Sequence, residues 1–373
     1  YTLNGTLVIP NTELSEYPVV IFIHGSGPMD RDETVPFTSQ NSLCLYPDLY
    51  GDTIKIFKEI SEYIENRGIA TFRYDKRTYT YGASLDIEKI RPYDFITDAV
   101  SAVNYIKNQP KIDENNIFII GHSQGANFLP IIAEQFNVKG LVNLACLARP
   151  IDSVYAEQIK YIFKTCGDSI QGETYYDQYM EAFFQIRNNR WNEDIPIDGV
   201  YSKFWKDWIN ITDSSIIRYQ ENSDNILFLQ GTDDINVPPI NAERFSNNLS
   251  DNVDVILFQG LNHYFSNSTL AQVDNRVLDT ISEWISRKLL INDNIKHHYS
   301  SKLLIKYLND RIEIRTPNNE NIINAILFDL NGRQINNFFP RNSLIIQRSG
   351  ISQKIYVIKI VTKRSIYINK LVL

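Results

Sequence analysis

The chain has 373 residues with an ordinary apolar fraction of 43%, enough for one large domain, or one domain plus a small module. Its net charge of −7 gives no general electrostatic footprint for nucleic acid. No run of residues is long and apolar enough to predict a transmembrane segment.

The first half of the chain alternates apolar runs with segments of helical spacing. Residues 1–12 predict a strand or hairpin, and VVIFI at 19–23 predicts a buried strand. Helices are predicted at 52–66 and 94–107, with a strand at 69–74 between them. Short continuous apolar strands that alternate with helices predict a mostly parallel sheet with helices on both faces.

The same alternation continues after residue 140, with one long interruption. Strands are predicted at 140–146, 226–229 and 253–258, and a final amphipathic helix at about 271–289. Residues 150–222 hold no strand-like run, and their aromatic residues recur at helical spacing. We therefore predict a helical cap insertion, with most aromatics packing the cap and a few lining the substrate entrance.

The character of the sequence changes near residue 295. From there to the end the chain carries 13 Lys and Arg against 4 Asp and Glu. Alternating apolar and polar residues, with an Asn331-Gly332 turn, predict a hairpin and further short strands at 311–315, 324–335, 355–360 and 365–371. The chain thus divides into a catalytic domain at 1–292 and a small all-β sandwich at 297–373.

The pentapeptide GHSQG at 121–125 is the strongest chemical signal. It follows the apolar run 117–120 and precedes a helix-like segment, the strand–turn–helix context of a nucleophile elbow. Ser123 is then exposed in a strained turn, where a side chain on either flanking glycine would crowd the backbone.

A serine nucleophile needs a base and an orienting carboxylate, which in this context follow the serine in the order Asp, His. Among the five histidines, two precede Ser123 and two lie in the predicted linker, which leaves His263. The loop GTDDINVP at 231–238 offers two acids. Asp234 is chosen by its spacing to Val237, and Asp233 is expected to cap the turn or the next helix.

The oxyanion hole requires two backbone N–H donors. Gln124 follows the nucleophile directly, and Ser26 lies in the loop HGSG at 24–27 after the first buried strand.

The charged segment RYDKR at 73–77 is interpreted as a buried ion-pair network that braces these loops. Three cysteines allow one disulfide, in a pairing left open, and their spacing suits no zinc site. The chemistry requires no metal and no organic cofactor.

These motifs carry a resemblance to a known family. The elbow GHSQG and the order Ser123, Asp234, His263 resemble the α/β-hydrolase superfamily over about the first 290 residues. HGSGPMDRDET, RYDKR and GTDDINVP are similar to a group of bacterial serine esterases and prolyl-oligopeptidase-related hydrolases. The group's RYDKRG continuation is replaced here by RYDKRTYTYG. The resemblance implies the α/β-hydrolase fold.

The last 75 or so residues resemble the carboxy-terminal sorting domain of Bacteroidetes proteins exported by type IX secretion. The similar segments are LFDLNGRQI, IYVIKI and IYINKLVL. The usual Pro-Asn-Pro opening is absent, and Lys354 stands where a glycine is common. This resemblance implies a secreted or cell-surface protein, with the secretion machinery as a partner of the tail.

The sequence therefore predicts a serine hydrolase that cleaves a small-molecule carboxylic ester. Two enzymatic alternatives remain: a peptidase or aminopeptidase of the prolyl-oligopeptidase type, and a thioesterase or lipase. The non-enzyme alternative is a surface binding protein on a hydrolase scaffold. Such degenerate members typically lose the serine, the histidine or the acid, and all three are present here.

Overall fold

A seven-stranded sheet forms the centre of the first of two units, Tyr1–Leu289, in the computed structural model of the chain; the second unit is Leu290–Leu373. The described residues are 1–291 without 12–13, 222–224 and 251–252, followed by 303–307, 311–316, 321–328, 334–338, 340, 343–347, 355–362 and 366–372. The predicted domain boundary at 292–297 lies outside them.

The first unit alternates strands and helices along the chain. Its strands are β1 (Gly5–Val8), β2 (Tyr17–Ile23), β3 (Thr34–Pro36), β4 (Thr53–Lys55), β5 (Ala70–Tyr74), β6 (Ile112–His122), β7 (Gly140–Leu144), β8 (Ile226–Gly231) and β9 (Val253–Phe258). Its helices are α1 (Gln40–Leu45), α2 (Ile56–Glu65), α3 (Arg77–Tyr81), α4 (Pro92–Lys107), α5 (Gln124–Ala133), α6 (Ile151–Cys166), α7 (Ser169–Arg187), α8 (Ser202–Asp213), α9 (Ser215–Glu221), α10 (Ile240–Asn248) and α11 (Asn275–Ile291).

The large sheet has the order β1-β5-β2-β6-β7-β8-β9. Only the first pairing, between β1 and β5, is antiparallel; the others are parallel, with Val19 of β2 opposite Ile117 of β6. Parallel strands place their carboxyl ends at one edge, and ligands bind there in open α/β sheets. This mostly parallel sheet with its covering helices is the α/β-hydrolase architecture that the sequence predicts.

Helices cover both faces of the sheet because alternate strand residues point to opposite sides. Val20 and Phe22 of β2 belong to one buried cluster, which also contains residues of α2 and α11. Val19 and Ile21 belong to the cluster on the other face, with residues of α4, α5 and α10. All four side chains are inaccessible to solvent, which explains why these strands read as continuous apolar runs.

Two helices are shorter than the sequence predicts. The segment predicted as a helix from residue 52 begins as the strand β4, because Thr53–Lys55 pairs with β3, and α2 starts only at Ile56. The last helix starts at Asn275 rather than 271. The preceding residues are held in a loop, where Asp274 N–H donates to the Phe265 carbonyl at 2.9 Å.

The insertion between β7 and β8 is mostly helical over its described residues: it contains α6 to α9, with turns and an isolated bridge between Ile197 and Val200 in the segment 188–201. Its aromatic side chains largely pack against one another; Phe183, Trp205 and Trp208 are buried. A disulfide joins Cys44 of α1 to Cys166 at the end of α6, and Cys146 is a buried free thiol. The cap is thereby covalently attached to the segment between β3 and β4.

The second unit contains two antiparallel sheets over its described residues. One has the order β10-β11-β14 and the other β13-β12-β15-β16. Their strands are β10 (Leu304–Tyr307), β11 (Arg311–Arg315), β12 (Ile322–Phe328), β13 (Gln334–Phe338), β14 (Leu344–Gln347), β15 (Ile355–Thr362) and β16 (Ile366–Val372). Both sheets contribute to one buried cluster, the arrangement of a sandwich. The predicted Asn331-Gly332 turn and Lys354 lie outside the described residues.

Candidate active site

Ser123 occupies a strained turn between β6 and α5. Its backbone has φ 53° and ψ −116°, a conformation that L-residues rarely adopt. Glycine is required on both sides: a Cβ on Gly121 would lie 2.7 Å from the Ala126 nitrogen, and one on Gly125 would lie 2.1 Å from the Ile23 carbonyl oxygen. The turn therefore has the geometry of a nucleophile elbow, and the serine side chain stays partly exposed.

Asp234 and His263 are brought together although 29 residues separate them. His263 Nδ1 lies 2.8 Å from Asp234 Oδ2, and both side chains are buried. The other oxygen of Asp234 accepts from the backbone N–H groups of Asn236 at 2.8 Å and Val237 at 2.7 Å. Gln230 Nε2 also donates to Oδ2, at 2.9 Å. Because three other donors already surround this carboxyl group, it can only accept from His263 Nδ1–H, which leaves Nε2 to act as a base.

Asp233, the competing acid, has a different environment. Its side chain is exposed and accepts from the Thr232 hydroxyl at 2.9 Å. It does not cap α10, whose N-cap position is Pro239, so the helix-capping alternative is wrong; Asp233 lies in the turn that follows β8, the other position the sequence allowed. Of the two adjacent carboxylates, the buried one, Asp234, is the one hydrogen-bonded to His263.

A buried ion pair that sequence reasoning missed lies beside the elbow. His122 Nδ1 is 3.1 Å from Glu33 Oε1, and His122 Nε2 donates to the His263 carbonyl at 3.0 Å. Burial alone would lower the His122 pKa, but the Glu33 charge and hydrogen bond raise it. Burial would likewise raise the Glu33 pKa, and His122 lowers it. The pair is thus an imidazolium–carboxylate pair.

Glu33 also contacts the loop that precedes it. Gly25 N–H donates to Glu33 Oε1 at 2.7 Å. Glu33 itself has a backbone φ of 51°, a left-handed conformation that is strained for a non-glycine residue. One side chain therefore joins the loop after β2 to the histidine next to Ser123. The only sequence signal for this role was a glutamate in the loop that begins with HGSG.

The two predicted oxyanion donors lie on the wall of the same cavity. Ser26 and Gln124 both line a space of about 220 Å³. In the described part of the chain neither backbone N–H has an acceptor, whereas Ser123 N–H donates to the Leu144 carbonyl at 2.8 Å. Gln124 is the first residue of α5, where helix N–H groups are without intrahelical partners. Both N–H groups are therefore available to a developing negative charge.

The cavity is mainly apolar. Its walls include Phe95 of α4, and Val200, Phe204 and Trp208 of the cap. Among its described lining residues there is no Asp or Glu, and Lys76 is the one with an ionisable charge. A larger cavity of about 400 Å³ lies against β1 and α4, and none of the predicted site residues lines it. Ser123, Asp234 and His263 are not among the described lining residues of the smaller cavity either, but the two predicted oxyanion donors are, which makes it the candidate substrate site.

The charged segment 73–77 forms ion pairs, with one exception. Arg73 pairs with Asp32, Arg31 lies 2.6 Å from Asp75, and Arg77 lies 2.7 Å from Asp98. Lys76 instead donates to uncharged acceptors beside the elbow. The predicted ion-pair network is therefore present, but Lys76 is not part of it.

The described residues offer no site for a metal and no membrane span. They contain no group of three or more His, Cys, Asp or Glu side chains placed to hold a metal ion. No helix in the described ranges combines the length and apolarity needed to cross a bilayer.

Comparison with known proteins places this geometry in a family. Residues 49–269, more than half of the chain, match the family model described as serine aminopeptidase, S33. The chain is 29% identical over 298 residues to esterase EstD of Thermotoga maritima, covering 76% of this chain but 65% of that protein, so it spans less than two thirds of this relative.

Solved structures are similar at lower identity. Est1E from Butyrivibrio proteoclasticus, with ferulic acid bound, is 17% identical, with a TM-score of 0.48 over 77% of this chain and 96% of that one. The α/β hydrolase GrgF from Penicillium sp. sh18 is 14% identical, with a TM-score of 0.49 over 77% and 94%. The family match, together with the elbow and sheet described above, shows that the chain belongs to the serine aminopeptidase S33 family of α/β-hydrolases.

Proposed function

We propose that the chain hydrolyses carboxylic esters through an acyl-enzyme intermediate, with Ser123 as nucleophile, His263 as base and Asp234 as the acid that orients it. The observation that carries the proposal is the buried 2.8 Å hydrogen bond between His263 Nδ1 and Asp234. The backbone of His263 is in turn bonded to His122, the residue next to Ser123 in the elbow. A base, its orienting carboxylate and a strained serine are the parts that nucleophilic catalysis needs.

The proposed reaction assigns each of these residues one step of acyl transfer. Ser123 Oγ attacks the ester carbon while its proton passes to His263 Nε2, and the carbonyl oxygen becomes an oxyanion that accepts from the N–H groups of Gln124 and Ser26. Collapse breaks the bond to the alcohol oxygen, which takes the proton from His263. Water then attacks the acyl-enzyme, its proton passes to His263, and Ser123 recovers that proton as the acid departs.

The cavity favours an ester over a peptide with a free amino terminus. An aminopeptidase must bind a cationic α-amino group, which requires a carboxylate partner in a buried site. No Asp or Glu belongs to the described cavity lining, and Lys76 lies on its wall. Apolar walls of Phe95, Phe204 and Trp208 suit an apolar or aromatic acyl or alcohol group. A thioester has the same acyl chemistry and is the second substrate class to test.

The test combines active-site labelling with a substrate panel. A fluorophosphonate probe should label the wild type but not Ser123→Ala, and the matched control Ser101→Ala, on the exposed face of α4, should be labelled fully. Turnover of p-nitrophenyl butyrate should exceed that of alanine p-nitroanilide by at least about tenfold. An unlabelled wild type would rule out the serine hydrolase, and faster anilide turnover would rule out the ester specificity.

We also propose that the chain is exported and that the second unit is a type IX sorting domain. Support comes from the predicted sandwich, the excess of basic residues after 295 and the resemblance of the tail segments. The disulfide between Cys44 and Cys166 is consistent with export, because such bonds persist mainly in oxidising compartments.

Mass spectrometry of the protein from culture medium and from cell fractions tests this second proposal. The expected result is a cell-surface or extracellular protein that lacks its β tail. An intact chain confined to the cytoplasm would contradict it.

A further inference from the structure

Lys76 is a buried lysine on the wall of the cavity that both predicted oxyanion donors line. It precedes α3, at the carboxyl end of β5, and only 4% of it is exposed. Its Nζ donates to the Gly25 carbonyl at 2.6 Å and to Gln124 Oε1 at 3.0 Å. We propose that Lys76 is a positioning residue that orients and polarises the oxyanion hole; the inference rests on the proposed serine hydrolase function.

The bond to Gly25 acts on the next residue through the peptide plane. The Gly25 carbonyl and the Ser26 N–H belong to one planar peptide group, in which they point in opposite directions. An ammonium group on the oxygen therefore fixes the direction of the N–H at the other end. It also withdraws electron density from the amide, which strengthens that N–H as a donor.

The second hydrogen bond of Lys76 Nζ, to Gln124 Oε1, acts on the other predicted oxyanion donor, the Gln124 backbone N–H. Gln124 supplies its backbone N–H at the start of α5, and its side chain is buried. Lys76 holds that side chain by its oxygen, so one Nζ contacts both the peptide group that contains the Ser26 N–H and the side chain of Gln124. The Phe95 ring, 4.4 Å from Nζ, limits movement on a third side. Because preorganised donors cost no reorganisation during the reaction, this restraint favours the transition state.

The charge of Lys76 is not neutralised by a direct partner within the described ranges. Glu33 and Asp98 face it at longer range, and each is hydrogen-bonded elsewhere, to His122 and to Arg77. His24 and the Tyr74 phenol lie against the same small space. Burial lowers the pKa of Lys76 to about 7, partly offset by Glu33 and Asp98, and burial lowers that of His24 to about 4.

The sign of the pH dependence follows from this lowered pKa. Lys76 is cationic below about pH 7 and becomes neutral above it. If the cation supports the oxyanion hole, kcat falls on the alkaline side as the proton is lost. We call this fall of kcat the alkaline limb of the pH profile. A lysine that serves only to fill space gives no alkaline limb, so the pH profile separates the two roles.

The experiment measures kcat and KM for p-nitrophenyl butyrate from pH 5 to 9 on the full chain. Lys76→Met is expected to lower kcat about 10- to 100-fold at pH 6, with KM changed less than about threefold, and to abolish the alkaline limb. Lys76→Arg retains a cation at every pH, so it should retain more activity than Lys76→Met and show no alkaline limb. Lys107→Met, on the surface of α4, is the matched control.

A second variant keeps Lys76 in place. Gln124→Glu puts a carboxylate where Nζ now meets an amide oxygen, so the alkaline limb should move upward by at least one pH unit. Thermal unfolding of each variant shows whether activity falls without a parallel loss of stability.

Three results would overturn the inference: an unchanged alkaline limb in Lys76→Met, an unmoved limb in Gln124→Glu, or a Lys76→Met defect confined to KM. Fluorophosphonate labelling of the wild type separates this failure from that of the proposed function. An unlabelled wild type that hydrolyses no ester refutes both. A labelled, active wild type with a normal Lys76→Met profile refutes the role of Lys76 alone.

Discussion

His122 Nε2 donates to the backbone carbonyl of His263 at 3.0 Å, while the other nitrogen of its ring is paired with Glu33. The loop after β2, the elbow and the loop that carries the base are therefore connected through one imidazole. Gly25 N–H, bonded to Glu33, completes the connection. Since this link fixes the relative positions of the oxyanion loop and the base, its loss should affect both stability and turnover.

Glu33→Gln is expected to destabilise the fold by roughly 3–5 kcal/mol, because it leaves one partner of a buried pair without its counter-charge. The variant Glu33→Gln/His122→Gln removes both charges, so its loss should be smaller than the sum of the two single losses. Urea unfolding measures the free energy of unfolding of the wild type, of the single variants Glu33→Gln and His122→Gln, and of the double variant. The control Glu62→Gln breaks an exposed pair with Lys58 and should cost less than about 1 kcal/mol. Strict additivity would contradict coupling between Glu33 and His122.

The contribution of this pair should depend on pH in a defined window. The folded pKa of His122 is raised, so its stabilisation is complete below the ordinary value of 6.5 and is lost as the pH rises through the folded value. The folded pKa of Glu33 is lowered, so its stabilisation is present above 4.5 and is lost as the pH falls. The stability difference between wild type and His122→Gln should therefore be largest between pH 4.5 and 6.5. A difference that grows from pH 6.5 to 9 would refute the charged pair.

Asp234→Asn should lower kcat by about 10⁴-fold, because an amide in place of the carboxylate no longer holds His263 with Nδ1–H as the donor. The chain supplies its own control, since Asp233→Asn changes the adjacent, exposed carboxylate and should alter kcat less than about twofold. Steady-state kinetics on an ester substrate, with circular dichroism to verify folding, measure both. If Asp233→Asn is the more damaging substitution, the assignment of the acid is wrong.

The sequence predicts the parts of this molecule that depend on local chemistry. β2 and residues 117–120 of β6 read as apolar runs because both of their faces are buried, and the elbow is recognisable because Gly121 and Gly125 are sterically required. The limits of α2 and α11 were missed because strand pairing and a loop hydrogen bond override helical spacing there.

The missed features depend on contacts between distant segments. Glu33 and His122 are 89 residues apart, and no periodicity connects them. Lys76 lies in a run of charges, where its separate contact with Gly25 has no local signature. The pairing of Cys44 with Cys166 likewise requires knowing that α1 and α6 lie side by side, which only the fold reveals.

Removing this disulfide should loosen the cap more than the sheet. Cys44 and Cys166 are separated by 122 residues, and the chain-entropy model assigns about 4–5 kcal/mol to a loop of this size. Cys44→Ser/Cys166→Ser should therefore lower the free energy of unfolding by up to this amount.

Hydrogen exchange should accelerate first in α6 and α7, because that end of the cap loses its attachment to α1. The control is Cys146→Ala, which removes the buried free thiol and leaves the disulfide intact. Exchange that accelerates equally in β2, β6 and α6 would contradict a local role of the bond, because it would mean that the cap and the sheet open as one unit.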